Sequence, residues 1–154
     1  MTIRAVYTPM APTPGAYSQG ILIDPLTYDL LFLAGQTGND PAKEGEPVVE
    51  GGFGPQTTRA LKNMLAIVEA AGGDASSFVA MDVFLKDSPT SEGRKASRLA
   101  FDGAYRAFFA ERGISKERGA LPTRFQVWVS EIPWEAPTED TLVEIRGIAA
   151  ILRS

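Results

Sequence analysis

The chain has 154 residues, 44% of them hydrophobic and 22% charged, and we expect residues 1–154 to form a single domain. Its net charge is −4 at pH 7, so neither nucleic acid nor an anionic membrane is a predicted partner. No apolar run approaches the roughly 18 to 20 residues that cross a bilayer. Residues 1–6 lack the apolar core of a signal peptide, which favours a cytoplasmic protein.

The sequence contains neither cysteine nor histidine. Disulfides, thiol nucleophiles and histidine-based triads are therefore excluded. Transition-metal sites depend heavily on the same two residue types, so no metal site is predicted. Any catalytic acid or base must be a carboxylate, a lysine, a tyrosine, a chain terminus or bound water.

The first part of the chain predicts three strands. Short strands are expected at 3–8 and 19–23, with a proline-rich loop between them. The apolar run at 30–34 is typical of a buried strand. Because residues 24–29 are rich in turn formers, we expect the second and third strands to form a hairpin.

Two helices and a strand follow. The first helix begins at Pro55 and ends before Gly72, with apolar residues every three or four positions. Residues 79–86 alternate as a strand with one apolar face. The second helix spans roughly 93–112 and ends at Gly113, and its aromatic stripe is expected to be core.

Two more strands, near 121–129 and 142–149, complete the order β-β-β-α-β-α-β-β. Helices with a single apolar stripe pack on one side of a sheet, which predicts an α+β fold of two layers. We expect one mixed sheet with both helices on one face. Longer polar loops are expected at 113–121 and 133–140.

Each of the last two strands carries an isolated charge, Arg124 in one and Glu144 in the other. Side chains alternate along a strand, so Arg124 shares a face with Gln126 and Trp128, opposite the apolar residues Phe125, Val127 and Val129. If the two strands are neighbours, Arg124 and Glu144 face one concave site on the sheet surface away from the helices. A face of this mixed character indicates contact between subunits.

A guanidinium can hold a substrate carboxylate with two parallel hydrogen bonds, and a nearby carboxylate can activate a water molecule. Arg124 and Glu144 together would therefore suffice for a simple hydrolysis. The alternative is that the two residues form an ordinary ion pair across the sheet.

Several segments of the sequence resemble the RidA/YjgF/UK114 family of reactive intermediate deaminases. They are collinear over most of the chain and comprise Pro14–Gly20, Ala34–Gln36, Leu65–Gly72, Val83–Asp87, Ala104–Phe109, Pro122–Arg124 and Val143–Ile145. The resemblance implies a chorismate-mutase-like fold that assembles as a homotrimer with clefts between subunits. It also implies hydrolysis of enamine or imine acids, such as 2-aminoacrylate or 2-iminopropanoate, to 2-oxo acids and ammonia without a cofactor.

By position in the family motifs, Arg124 would hold the substrate carboxylate and Glu144 would activate the attacking water. The remaining expected substrate contacts are Tyr17, Gly35, Gln36 and Gln126. The resemblance thus implies that the small-molecule partner, the ligand of this site, is a 2-imino or 2-oxo acid.

The sequence departs from the usual family pattern at several positions. The usual serine before Gly35 is Ala34, and the asparagine often found three residues before the helix tyrosine is Asp102. After Arg124, where the family often has small residues or cysteine, this chain has Phe125, Gln126 and Trp128. These changes leave the natural substrate open. Two rival functions also remain open: a protein that binds small carboxylates without turnover, and a pathway-specific enzyme such as an aminomuconate deaminase.

Overall fold

The computed structural model describes residues 3–12, 15–116, 121–133 and 140–154. The chain forms, in order, β1 (Arg4–Val6), β2 (Gly20–Leu22), β3 (Tyr28–Thr37), α1 (Phe53–Ala70), β4 (Phe78–Lys86), α2 (Ser91–Ala110), β5 (Thr123–Val129) and β6 (Val143–Leu152). A single 3-10 turn at Ala75–Ser77 precedes β4. The predicted order of strands and helices is confirmed.

The main sheet has four strands in the order β3-β6-β4-β5. β6 runs antiparallel to both neighbours, and β4 and β5 are parallel, so the sheet is mixed. Two crossovers build it, β3-α1-β4 and β4-α2-β5, and both advance in the same direction across the sheet. Because such crossovers are right-handed, both helices lie on the same face, as predicted.

The first two strands do not join this sheet. β1 and β2 pair with each other as a separate antiparallel sheet, and β3 pairs with β6. The predicted hairpin between the second and third strands is therefore wrong, and so is the expectation of one sheet for all strands. Ser18, just before β2, hydrogen-bonds the Leu121 and Pro122 carbonyls and so fixes this part of the chain beside the start of β5.

The core lies between the helices and the main sheet. α1 contributes a stripe of buried side chains from Gln56 to Val68, and β4 contributes Met81, Val83 and Leu85. α2 contributes the aromatic stripe Phe101, Tyr105, Phe108 and Phe109, which is fully buried as expected. α2 ends at Ala110, and Gly113 shortly after it has a φ of 72°, a conformation that glycine adopts without strain.

Strand β5 faces the opposite way from the prediction. Arg124, Gln126 and Trp128 pair in register with Met81, Val83 and Leu85 of β4, whose side chains are buried under the helices. Paired residues of adjacent strands point to the same face, so the polar side of β5 faces the helices. Phe125, expected to be on the core face, lies on the open face and is 56% exposed.

The open face of the sheet carries both exposed apolar side chains and charged side chains. Phe32 is 72% exposed and Leu30 is also exposed, both on the edge strand β3. Asp82 and Arg146 pair across β4 and β6 on this face, with 2.9 Å between Oδ2 and Nε. Glu144 is on the same face, because it pairs in register with Phe84, and Val143 and Ile145 on either side of it are buried.

The described residues omit 117–120, within the predicted loop 113–121, and 134–139, which is most of the predicted loop 133–140. Neither helix in the described segments has the length and apolar character needed to cross a bilayer.

Candidate active site

Arg124 is buried between β5 and α2, and we call the side chains that surround its guanidinium the Arg124 pocket. Its side chain is only 8% exposed, and Nη2 lies 3.0 Å from Oδ1 of Asp102. The guanidinium carbon is 4.8 Å from the ring centre of Tyr105, 5.4 Å from that of Phe101 and 5.5 Å from that of Tyr17. Three aromatic rings and one carboxylate therefore fix the orientation of this cation.

Several polar atoms around Arg124 are buried without a hydrogen-bond partner among the described residues. They are Arg124 Nη1, the Tyr105 hydroxyl, Gln126 Oε1 and Asp102 Oδ1, although the last is within ion-pair distance of Arg124. Burial raises the pKa of the Tyr105 phenol, so the hydroxyl stays protonated and can donate. Because a buried polar group without a partner costs free energy, such a cluster can be satisfied by ordered water or by a polar ligand.

Glu144 lies in a different place, where β6 pairs with the end of β3. Thr37 is its register partner, and its carboxylate lies against the backbone of Gly35. A β-carbon at position 35 would collide with Glu144 Oε1 and would lie 2.9 Å from its Cδ. Glycine at position 35 thus allows the Glu144 carboxylate to lie this close to the backbone of β3.

The Glu144 carboxylate opens into a cleft of about 480 Å³. Gly35, Gln36 and Thr37 form one wall, α1 forms a second, and the segment after β5 contributes Ile132 and Pro133. Asn63 of α1 fixes the first two walls together, because its amide donates to the carbonyls of Thr37 (3.1 Å) and Asn39 (2.8 Å). No three acidic side chains within the described ranges are grouped closely enough to hold a metal ion.

The six residues expected at the site thus fall into two groups within one chain. Tyr17 contacts the buried guanidinium of Arg124, and Gln126 follows Arg124 on the same face of β5. Gly35, Gln36 and Glu144 line the cleft. The two strands are separated by β4, and Arg124 and Glu144 point to opposite faces of the sheet. The expectation that the pair faces one site within a single chain is therefore wrong. The alternative of an Arg124–Glu144 ion pair is equally wrong, since the partner of Arg124 is Asp102.

Three further residues adjoin these two groups and were not predicted as site residues: Asp102, Tyr105 and Asn63. Asp102 and Tyr105 lie three positions apart on α2 and both reach Arg124. The signal was present in the sequence, because an acidic residue directly after Phe101 on a buried aromatic stripe needs a cation nearby. Asn63 gave no such signal, since a single amide on a helix is usually solvent-facing.

Three comparisons with known proteins find similarity over nearly the whole length of this chain. The profile of the family described as Endoribonuclease L-PSP matches residues 8–151. A RutC family protein of Pyrococcus horikoshii is 35% identical over 147 residues, which cover 95% of this chain and 96% of the relative. The 2-iminobutanoate/2-iminopropanoate deaminase of Rattus norvegicus is 30% identical over 145 residues, with 94% and 90% covered. The crystal structure of E. coli TdcF with bound serine is similar with a TM-score of 0.62 and 29% identity, covering 98% of this chain and 99% of that one.

Proposed function

The chain belongs to the RidA/YjgF family, and from that premise we propose that it is a cytoplasmic, cofactor-free deaminase that hydrolyses 2-imino acids to 2-oxo acids and ammonia. The observation that carries the proposal is the buried guanidinium of Arg124. Its Nη1 and the neighbouring Tyr105 hydroxyl are donors without partners in the described structure, and a substrate carboxylate would satisfy both.

The second half of the proposed site is the Glu144 cleft of another copy of the chain. Arg124 and Glu144 serve one substrate only if the Arg124 pocket of one protomer meets the Glu144 cleft of its neighbour. The exposed apolar residues of the open face, Leu30, Phe32 and Phe125, support such an assembly. We propose a homotrimer with a site at each contact between protomers.

In the proposed reaction, Arg124 holds the carboxylate of a protonated imine, R–C(=NH₂⁺)–COO⁻. Glu144 accepts a proton from a water molecule while the water oxygen bonds to the imine carbon. Protonated Glu144 then returns its proton to the nitrogen, and the C–N bond breaks as the C=O bond forms. The hydroxyl proton of the intermediate passes to the departing ammonia, so the 2-oxo acid and ammonium leave and Glu144 is again a carboxylate. Because the protonated imine is already electrophilic, positioning of water and substrate supplies most of the acceleration.

The test is ammonia release from an imine generated freshly in the assay, compared between the wild type and Glu144→Gln. The amide keeps the shape of the side chain but cannot accept the proton, so kcat should fall by roughly 10²- to 10⁴-fold while 2-oxo acid binding persists. Glu111→Gln is the matched control, because Glu111 is well exposed on the surface and lies outside both groups. Full turnover of Glu144→Gln with a lowered melting temperature would remove the catalytic role.

The wild-type measurements separate the rivals. Binding of 2-oxo acids without ammonia release would identify a carboxylate-binding protein, and product analysis with aminomuconate would identify a pathway-specific deaminase. Ribonuclease activity, which the family description names, fits poorly with a net charge of −4 and the absence of histidine. A stable monomer in sedimentation at micromolar concentration would overturn the intersubunit site.

A further inference from the structure

The pocket around Arg124 contains a negative charge that a plain carboxylate-binding site does not need. Asp102 is 19% exposed, and its Oδ1 lies 3.0 Å from Arg124 Nη2, so one edge of the guanidinium is already occupied. The other oxygen, Oδ2, is 3.7 Å from Nη1 of Arg98, a side chain that is 51% exposed. Water screens the Arg98 charge far more than the buried Arg124 charge. The negative charge of Asp102 therefore chiefly neutralises the positive charge of Arg124.

The unpartnered atoms of the pocket include acceptors as well as donors. Arg124 Nη1 and the Tyr105 hydroxyl can donate, and Gln126 Oε1 can accept. Asp102 Oδ1 lies 3.0 Å from Arg124 Nη2 without a hydrogen bond of good geometry, and it can accept a further contact. Arg124 and Gln126 lie two residues apart on one face of β5, and Asp102 and Tyr105 contact the same guanidinium from α2. A ligand that satisfies the whole set must accept hydrogen bonds at one end and donate them at the other.

Resting on the proposed function, we propose that Asp102 makes this site select zwitterions, that is, a carboxylate with a protonated nitrogen on the adjacent carbon. The protonated imino acid has this form: its carboxylate meets Arg124, and its N–H groups face the acceptors of Asp102 and Gln126. Hydrolysis removes the nitrogen and leaves a simple anion. Asp102 repels that anion, so the same residue that favours the substrate also favours release of the 2-oxo acid.

The experiment compares two stable ligands by titration calorimetry. L-Serine is a zwitterion with the charge pattern of the protonated imino acid, and pyruvate is the simple anion. The wild type should bind serine more tightly than pyruvate. Asp102→Asn should bind pyruvate about tenfold more tightly and serine about tenfold more weakly, because a partly buried unit charge beside the ligand is lost. Asp102→Glu, which retains the charge, should recover part of the preference for serine.

The matched control is Asp29→Asn, which removes one partner of a surface ion pair with Arg153 and should alter neither affinity. Melting curves verify that each variant is folded. If Asp102→Asn does not fold, the wild type alone decides, because tighter binding of pyruvate than of serine would overturn the proposal. If Asp102→Asn changes the affinities for serine and pyruvate by the same factor in the same direction, the proposal is overturned as well.

Ammonia release, measured separately, distinguishes this proposal from the proposed function. A wild type that prefers serine and loses that preference in Asp102→Asn, yet releases no ammonia, supports charge selection and overturns the deaminase. Turnover in a protein whose Asp102→Asn variant keeps the wild-type preference overturns charge selection alone.

Discussion

Replacing Gly35 with alanine should impair turnover while leaving the fold almost unchanged. The added β-carbon would overlap Glu144 Oε1 and would lie 2.9 Å from Cδ and 3.2 Å from Cγ of the same side chain. The three heavy atoms nearest to the new methyl group outside residues 34–36 thus all belong to one flexible side chain. Glu144 can therefore relieve the clash by rotating, which displaces its carboxylate and costs about 1 kcal/mol or less in stability.

The expected loss of activity is much larger than the loss of stability. A displacement of about 1 Å of a catalytic group typically lowers the rate by roughly 10²-fold. Ammonia release should thus fall by about two powers of ten, with a melting temperature within a few degrees of the wild type.

Gly103→Ala is the control for the same chemical change. Gly103 lies on α2, and a β-carbon there meets no heavy atom within 4 Å. Alanine at an exposed helix position should stabilise the protein by about 0.5 to 1 kcal/mol and leave turnover unchanged. Wild-type turnover of Gly35→Ala would show that the position of the Glu144 carboxylate does not limit the reaction.

Three further predictions concern the pocket, the open face and the core. Arg124→Lys keeps the charge but loses the planar fork, and should weaken pyruvate binding by about two powers of ten in calorimetry; unchanged affinity would return Arg124 to a structural role. Phe125→Asp places a charge on the open face and should dissociate the proposed trimer in sedimentation experiments. Leu99→Asp is the control, because Leu99 is similarly exposed but lies on α2, and it should leave the trimer intact. An intact trimer of Phe125→Asp would show that the interface lies elsewhere. Gln56→Ala removes the two hydrogen bonds of 2.8 Å that the buried Gln56 side chain makes to the segment before β6, and it should lower the free energy of unfolding by about 2 to 4 kcal/mol in urea; a loss under about 1 kcal/mol would contradict this.

The sequence predicted the elements well because their signals are local. Apolar spacing and the glycines after it predicted a helix from Pro55 to Gly72, and α1 spans Phe53–Ala70. The alternating pattern at 79–86 likewise corresponds to β4 at Phe78–Lys86. Strand pairing was predicted less well, since turn formers before β3 indicate a reversal of the chain but do not determine the strand with which β3 pairs.

The orientation of β5 could not be predicted from alternation alone. Alternation shows that the two faces of a strand differ, and the apolar face is normally assigned to the core. Here the polar face is buried, because Asp102 and three aromatic rings of the same chain compensate the buried charge of Arg124. Phe125 is left exposed on the other face, where the proposed contact with a second protomer would bury it.

The two halves of the proposed site also constrain the symmetry of the proposed assembly. Arg124 is on β5 and Gly35 is on β3, and these strands form opposite edges of the main sheet. A contact that brings the β5 side of one protomer to the β3 side of the next uses two different surfaces, so it is heterologous. Such contacts leave a free surface at each end of an open chain and are all satisfied only when the protomers close into a ring. In a closed ring the number of contacts equals the number of protomers, so a trimer would hold three complete sites and leave no Arg124 pocket without a Glu144 cleft.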